Sequence, residues 1–391
     1  MSMQKKGNVS FGAIVATIGS ILIGLGVAWI LAENWASIPS GLKIVILVIL
    51  TGGAYISGIL LRINQYPKIG SSLLFLGALL YTLSIFLISQ IFSTDLGFQG
   101  NANLILLAWV GVFITSYIFD SSSTLIVALV EFLFWVGFQF FAFYELNFFN
   151  FNSFSLGVLA IIYLSIGILL YGLTQLHKSS NHKFFEVYRF WTAFYILLLT
   201  YILSFQTLLP ILWPEGYQID AGVLVFLIVS VLVSIIVAMV GITRSINRNK
   251  LSGREVIGFV SLSLVYILLI SLASLVSGER TFFSGGGISA GLLIMWLFSN
   301  LFFIFVILSV IGYGVRYKSS LIVYLGLLFF VLDIITRYIG FWLDIGGEIG
   351  FAIMSIIGGI VLIFGGWGIE KWRRILVEKI ELKEQTGYQV Y

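Results

Sequence analysis

Cysteine is absent from the 391 residues. That excludes disulfides, thiolate nucleophiles and cysteine-held metals together. Histidine is almost absent: His177 and His182 sit five apart, with Glu186 as their one nearby carboxylate. This is too small a ligand set for zinc, so neither a metal nor a cofactor is expected. Charge is scarce, at 10% of residues against about 25% in an ordinary soluble domain. The only prolines are Pro39, Pro67, Pro210 and Pro214, all in connections or at helix ends. Their placement argues against the proline-broken helices of many transporter sites. No Ser/His/Asp arrangement, zinc-binding helix or nucleotide motif occurs. Gly285-Gly286-Gly287 lacks the following Lys-Ser/Thr of a phosphate loop.

Apolar residues fill the chain instead, 60% hydrophobic and 16% aromatic. The excess runs along the whole length, so no soluble domain separates from it. Lys5 and Lys6 precede an apolar run too long for a cleaved signal, and no small-x-small site follows. The first run is therefore expected to stay as a helix. About 12 stretches reach the roughly 20 residues that a spanning helix needs. They are 11–32, 42–62, 70–91, 102–119, 123–145, 155–174, 187–206, 221–243, 255–277, 289–315, 319–342 and 349–369. The expected fold is an all-α polytopic transmembrane bundle. Its divisions are an N-terminal membrane region over 1–120, the remaining bundle over 121–369 and a basic tail over 370–391.

Basic residues test that count, because cytoplasmic loops collect Lys and Arg. With the N-terminus inside, every lysine and arginine except Lys43, Arg280 and Arg337 falls on the inner side. The outer connections carry Glu33, Asp95, Glu145, Glu215, Asp220, Glu279, Asp344 and Glu348. One inner turn, Asp120-Ser121-Ser122-Ser123, has no basic residue. The basic loops around Lys68 and Lys178 still require an even number of spans between them, and four accounts for the apolar chain. Both termini are then cytoplasmic, and the protein belongs in the cell inner membrane. Basic residues confined to short loops reflect topology, so no nucleic-acid partner is expected.

Small residues recur every four positions in the first helix, at Gly12, Ala16, Ser20, Gly24 and Ala28, with Ala54 and Gly58 of the second helix placed to face them. Ser355, Gly359 and Gly366 repeat the theme in the last span. Such stripes let helix backbones approach closely in lipid. After Gly368, Glu370-Lys371-Trp372-Arg373-Arg374 is expected to lie on the cytoplasmic surface against anionic headgroups, making membrane lipid a partner.

The first hairpin turns through Ala32-Glu33-Asn34-Trp35, Ile38-Pro39 and Lys43. These residues resemble the hallmark of a family of bacterial membrane proteins, domain of unknown function 2157. Gly70-Ser71-Ser72-Leu73-Leu74-Phe75-Leu76-Gly77-Ala78, followed by Ile88-Ser89-Gln90-Ile91-Phe92, is similar to its second signature. The likeness covers roughly residues 10–120. Glu33 stands where the family usually has a small residue, and Phe92 where an aromatic hydroxyl is common. The resemblance implies a multi-pass topology, a bacterial source and a small membrane-protein partner, but no mechanism.

An ionisable group inside a span costs about 2.5–3.5 kcal/mol at the helix centre, so each is a candidate for function. Glu131 lies on one face of the fifth helix with Trp135 and Gln139, four and eight residues on. It reads either as a protonated carboxyl bonded to a neighbouring helix or as a proton or cation relay. Asp333 and Arg337, four apart, are placed to pair. Shared depth suggests an outward-facing binding cluster of Glu33, Asn34, Lys43, Asp333 and Arg337; Trp35 of the same hairpin is a further binding candidate, and Gln90 either joins the cluster or caps a helix contact. Three functions fit: an accessory protein acting through membrane partners, a transporter or lipid-handling permease, or an enzyme on a lipid-linked substrate. The first is preferred. Enzymatic activity is disfavoured because Glu131 and Asp333 lie at different depths, leaving no acid/base pair.

Overall fold

The computed structural model describes residues 11–34, 37–92, 97–144, 155–214, 217, 219–276 and 289–344. Among them are α1 (Phe11–Asn34), α2 (Ser40–Ile63), α3 (Pro67–Phe92), α4 (Gly97–Ile118), α5 (Ser122–Ala142) and α6 (Leu156–Ser180). There follow α7 (Phe184–Leu203), α8 (Ala221–Asn247), α9 (Gly253–Leu272), α10 (Ala290–Arg316) and α11 (Ser320–Asp344). Two 3-10 turns, Leu209–Ile211 and Ala273–Val276, are added, and no strand occurs among the described residues. Ten of these helices, α2 to α11, are long and apolar enough to cross a membrane. Each expected stretch from 11–32 to 319–342 coincides with one helix. The stretch at 349–369, its small residues and the basic tail lie outside the described residues.

The helices are inside out by the standards of a soluble protein. In α8 the buried residues are mostly small, Ser234, Ala238, Gly241 and Ser245. Its large side chains face outward, Val225 at 61% exposure and Met239 at 62%. In water that face would be an aggregation surface; in hydrocarbon it costs nothing, and small residues are what close helix contact requires.

The chain forms two compact units, Met1–Phe151 and Asn152–Tyr391. In the first, α3 is central: α1, α2, α4 and α5 all pack on it. The α2–α3 crossing is backbone to backbone. A Cβ on Gly70 would stand 2.6 Å from the Gly58 carbonyl oxygen. Ala54 packs with Leu76 and Leu80 of α3, so the small face of α2, expected to face α1, is used against α3. Gly24 of the α1 stripe also meets α3, for a Cβ there would lie 3.3 Å from Leu76. By packing, α5 belongs with the helices before it.

In the second unit α6 is central, packing on α7, α8 and α9, while α10 and α11 pack on each other and on α7. At the α6–α8 crossing a Cβ on Gly241 would lie 2.3 Å from the Gly172 carbonyl oxygen, and one on Gly172 would lie 2.7 Å from the Ala238 backbone. Leu197, Leu269, Phe303 and Ile307 fill the core of this unit.

Five connections share one geometry. Gln65, Asp120, Asn181, Asn249 and Lys318 take positive φ, from 46° to 69°. The residue after each donates its N–H five back, at 2.8–3.1 Å: Tyr66 to Leu61, Ser121 to Ser116, His182 to His177, Lys250 to Ser245, Ser319 to Gly314. This is the Schellman closure, which satisfies orphan carbonyls at a helix C-terminus. It ends α2, α4, α6, α8 and α10. The side chains of Ser121 and Ser252 then cap the starts of α5 and α9, completing tight helix–helix turns.

Candidate functional site

Glu131 of α5 is buried, 7% exposed. Its Oε1 is hydrogen-bonded to the Thr82 hydroxyl of α3. Its other oxygen, Oε2, is buried and has no hydrogen-bond partner. Thr82 Oγ1 also lies 3.0 Å from the Ala78 carbonyl oxygen. A hydroxyl has one hydrogen and cannot serve both acceptors. A carboxyl that donates to Thr82 resolves the conflict, since Thr82 then donates to Ala78. The Tyr55 and Tyr81 side chains lie within electrostatic range of Glu131, and Thr115 is a polar neighbour of Tyr55. Both rings are seated on glycine. A Cβ on Gly77 would meet Tyr55 at 3.1 Å, and one on Gly111 would collide with the Tyr81 hydroxyl.

The expected row on α5 divides between two neighbours. Glu131 turns to α3. Trp135 stacks on Trp109 of α4, with centroids 6.2 Å apart, and Gln139 Nε2 donates to Gln99 Oε1 of α4 at 3.3 Å.

Asp333 and Arg337 do pair: Arg337 Nε donates to Asp333 Oδ1 at 3.1 Å. Arg337 also donates to the Ser204 hydroxyl at the C-terminus of α7 and lies 4.9 Å from the Phe205 ring centroid. Asn300 of α10 donates to the Ser204 carbonyl at 3.3 Å. One arginine thus ties α11 to the end of α7, where a cation complements the helix dipole.

The hairpin residues stand apart from that pair in the sequence and belong to the first unit. Glu33 is exposed at the end of α1, Lys43 is half-buried in the first turn of α2, and Gln90 is exposed near the end of α3. The Asn34 side chain and Trp35 lie outside the described residues. Asp333 and Arg337 belong to the second unit. His177 and His182 pack edge to face, 5.4 Å apart; His177 Nδ1 bonds to the Leu173 carbonyl oxygen at 2.8 Å. Among the described residues no group of three His, Cys, Asp or Glu could hold a metal.

A polar network absent from the sequence reading lies at the turn end of the second unit. Glu255, in the first turn of α9, accepts from Tyr317 at 2.5 Å and from Gln175 at 3.4 Å. Ser245 of α8 donates to Gln175 at 3.2 Å. Lys178 Nζ is 3.8 Å from Glu255 Oε2. Burial first, then the bond to Glu255, pushes the Tyr317 phenol up to about 12. Nearby, Lys250 donates to the Lys178 carbonyl at 3.0 Å and the Ser179 carbonyl at 3.1 Å, and Arg248 donates to Ser179 at 2.6 Å. In the first unit Arg62 does the same for the Phe119 carbonyl at the end of α4. Basic residues of these turns therefore cap neighbouring helix C-termini. The signal that could have revealed the network is Ser252-Gly253-Arg254-Glu255, whose S-x-x-E spacing marks a helix start.

These features define a polytopic helical membrane protein. Residues 2–125 match the family model described as predicted membrane protein (DUF2157). It is the family that the hairpin and the 70–92 signature resemble. No curated protein and no solved structure matches the chain.

Proposed function

We propose that the protein is a twelve-span accessory protein of the cell inner membrane, with both termini cytoplasmic, which acts through a small membrane-protein partner. The observation that carries this reading is the use made of intramembrane charge. Glu131 ties α5 to α3, and Arg337, held by Asp333, ties α11 to α7. Both act as helix–helix fasteners, the service expected of a framework. The topology is supported by the five Schellman turns. Arg62 at the α2–α3 turn donates to the Phe119 carbonyl, beside the turn at Asp120 that has no basic residue of its own, which supports putting both turns on the basic side.

A second reading is transport of a proton or a small cation, favoured by the buried Glu131 Oε2 that no hydrogen bond satisfies. Single Glu131→Gln and Asp333→Asn variants separate the two. The accessory reading expects unchanged vesicle flux in both, with copurification of the partner weakened by Asp333→Asn, which loses the charge holding Arg337, and little changed by Glu131→Gln, which keeps the bond to Thr82. Loss of a measurable flux in Glu131→Gln, with the partner retained, refutes it. Cysteines placed near Arg248 and Glu215 are expected to label from opposite faces of the membrane; labelling from one face refutes the topology.

A further inference from the structure

The turn end of the second unit holds more cation than it uses. Arg248 and Lys250 are consumed by the carbonyls that end α6. Lys178 and Arg189 are only partly used: Lys178 lies 5.0 Å from the Tyr317 ring centroid, and Arg189 lies 5.0 Å from that of Phe185 and pairs with Glu186. Lys178 Nζ is buried and makes no hydrogen bond, its carboxylate neighbour standing 3.8 Å away. Arg189 Nε is likewise buried without an acceptor. Arg189 and the exposed Arg316 both lie within electrostatic range of Lys178. Three cations therefore share two carboxylates, Glu255 and Glu186. An ammonium or guanidinium nitrogen withdrawn from water and left without an acceptor is costly. A ligand made only of acceptors removes that cost.

The approach to this cluster is already marked by an anion of the chain. Glu186 is bonded to Arg189, yet its side chain is 64% exposed while that of Arg189 is 10% exposed. An exposed carboxylate on a buried guanidinium occupies the position an incoming oxyanion would take. The ends of α6 and α10 and the starts of α7 and α9 meet here, at the level where spanning helices emerge among headgroups. A tetrahedral group with several oxygens can bridge an ammonium and a guanidinium, which a single carboxylate at 3.8 Å does not.

We propose that this cluster binds a phosphate-bearing anion between Lys178 and Arg189, with Glu186 swinging out to admit it. The site rests on the membrane placement of the chain, and it stands whether or not the protein works through a partner. The phosphate comes from an anionic lipid headgroup or from solution, and the test distinguishes these sources.

The delipidated full-length chain is melted in detergent, read by the fluorescence of its 10 tryptophans. It is titrated with phosphatidylglycerol, with phosphatidylcholine, and with inorganic phosphate against chloride at matched ionic strength. A saturable rise in melting temperature with phosphatidylglycerol, absent with phosphatidylcholine, assigns a lipid headgroup. A saturable rise with inorganic phosphate at least as strong assigns the free anion. In either case Arg189→Gln weakens the apparent affinity about tenfold or more, the value of losing one charge-assisted bond. Lys178→Met does the same, while Arg244→Gln, an exposed cation at the same end, shifts it by less than about twofold. Should Lys178→Met fail to fold, Arg189→Gln decides alone, since its ion pair is to an exposed glutamate. No saturable response to either anion overturns the proposal, as does an Arg244→Gln effect equal to that of Arg189→Gln.

Discussion

Replacing Gly241 by alanine adds one methyl group at the α6–α8 crossing, where no side chain can step aside. The new Cβ would lie 2.3 Å from the Gly172 carbonyl oxygen, 3.1 Å from its carbon and 3.3 Å from Gln175 Cβ. An ordinary carbon–oxygen contact is about 3.3–3.6 Å, so the helices must part by roughly 1 Å. A gap of that size forfeits about a quarter to a half of each contact along the seam, and overpacking of this kind costs about 1–3 kcal/mol. Alanine returns up to about 1 kcal/mol through helix propensity. The net expectation is a loss of about 1–2 kcal/mol. Gly312→Ala is the control: nothing lies within 4 Å of its added Cβ, so it should be neutral or stabilising by up to about 1 kcal/mol. Denaturant titration of the full chain in micelles, followed by tryptophan fluorescence, measures both. If Gly241→Ala proves as stable as Gly312→Ala, the backbone seam is not what holds these helices and the reasoning fails.

Three further outcomes can be checked the same way. Glu131→Gln keeps one donor and one acceptor toward Thr82 and should cost less than about 1 kcal/mol, whereas Thr82→Val removes the partner and should cost about 1–3 kcal/mol; the reverse order excludes a donating carboxyl. Asp333→Asn removes the negative charge but leaves Arg337 an amide oxygen, Ser204 and the Phe205 face, and should cost about 1 kcal/mol, discounted because the arginine is a quarter exposed. An unchanged midpoint removes the fastener role. Because the folded Tyr317 phenol is pushed up to about 12 while the unfolded one titrates near 10, its contribution is intact below about pH 10 and is lost as pH rises through about 12. Tyr317→Phe should lose less stability than the parent between about pH 10 and 12, and identical alkaline profiles contradict this.

Helix positions were legible because each apolar run is as long as a bilayer is thick. Charge alternation then ordered the runs. What the runs do not encode is which helix faces which. Ala54 and Gly58 form a small face visible in the sequence, yet nothing local says that it meets Gly70 of α3 in preference to the stripe of α1. The Gly172–Gly241 seam joins residues far apart in the chain and lay outside any single stripe. Pairing of Asp333 with Arg337 was legible because one helical turn brings them together; the Ser204 contact that gives the pair its use was not. Lys178, Arg189 and Glu255 looked like ordinary loop charges, since burial at a helix end depends on four elements meeting there. Glu131 stood out because a carboxylate amid apolar residues needs a reason. Its Thr82 partner, 49 positions earlier, could not be read from its own helix.

The seam between α6 and α8 also constrains the order in which the chain can be made. About 70 residues, including all of α7, emerge between Gly172 and Gly241. At ribosomal speeds of about 5–20 residues per second, that is several seconds. Throughout that interval the bare glycine surface of α6 has no sister helix and must be covered by lipid tails or by the insertion machinery. This joint cannot close until α8 has emerged, after α6 has already met α7, and a slow or misplaced α8 leaves a half-built protein in the bilayer with its central helix undressed.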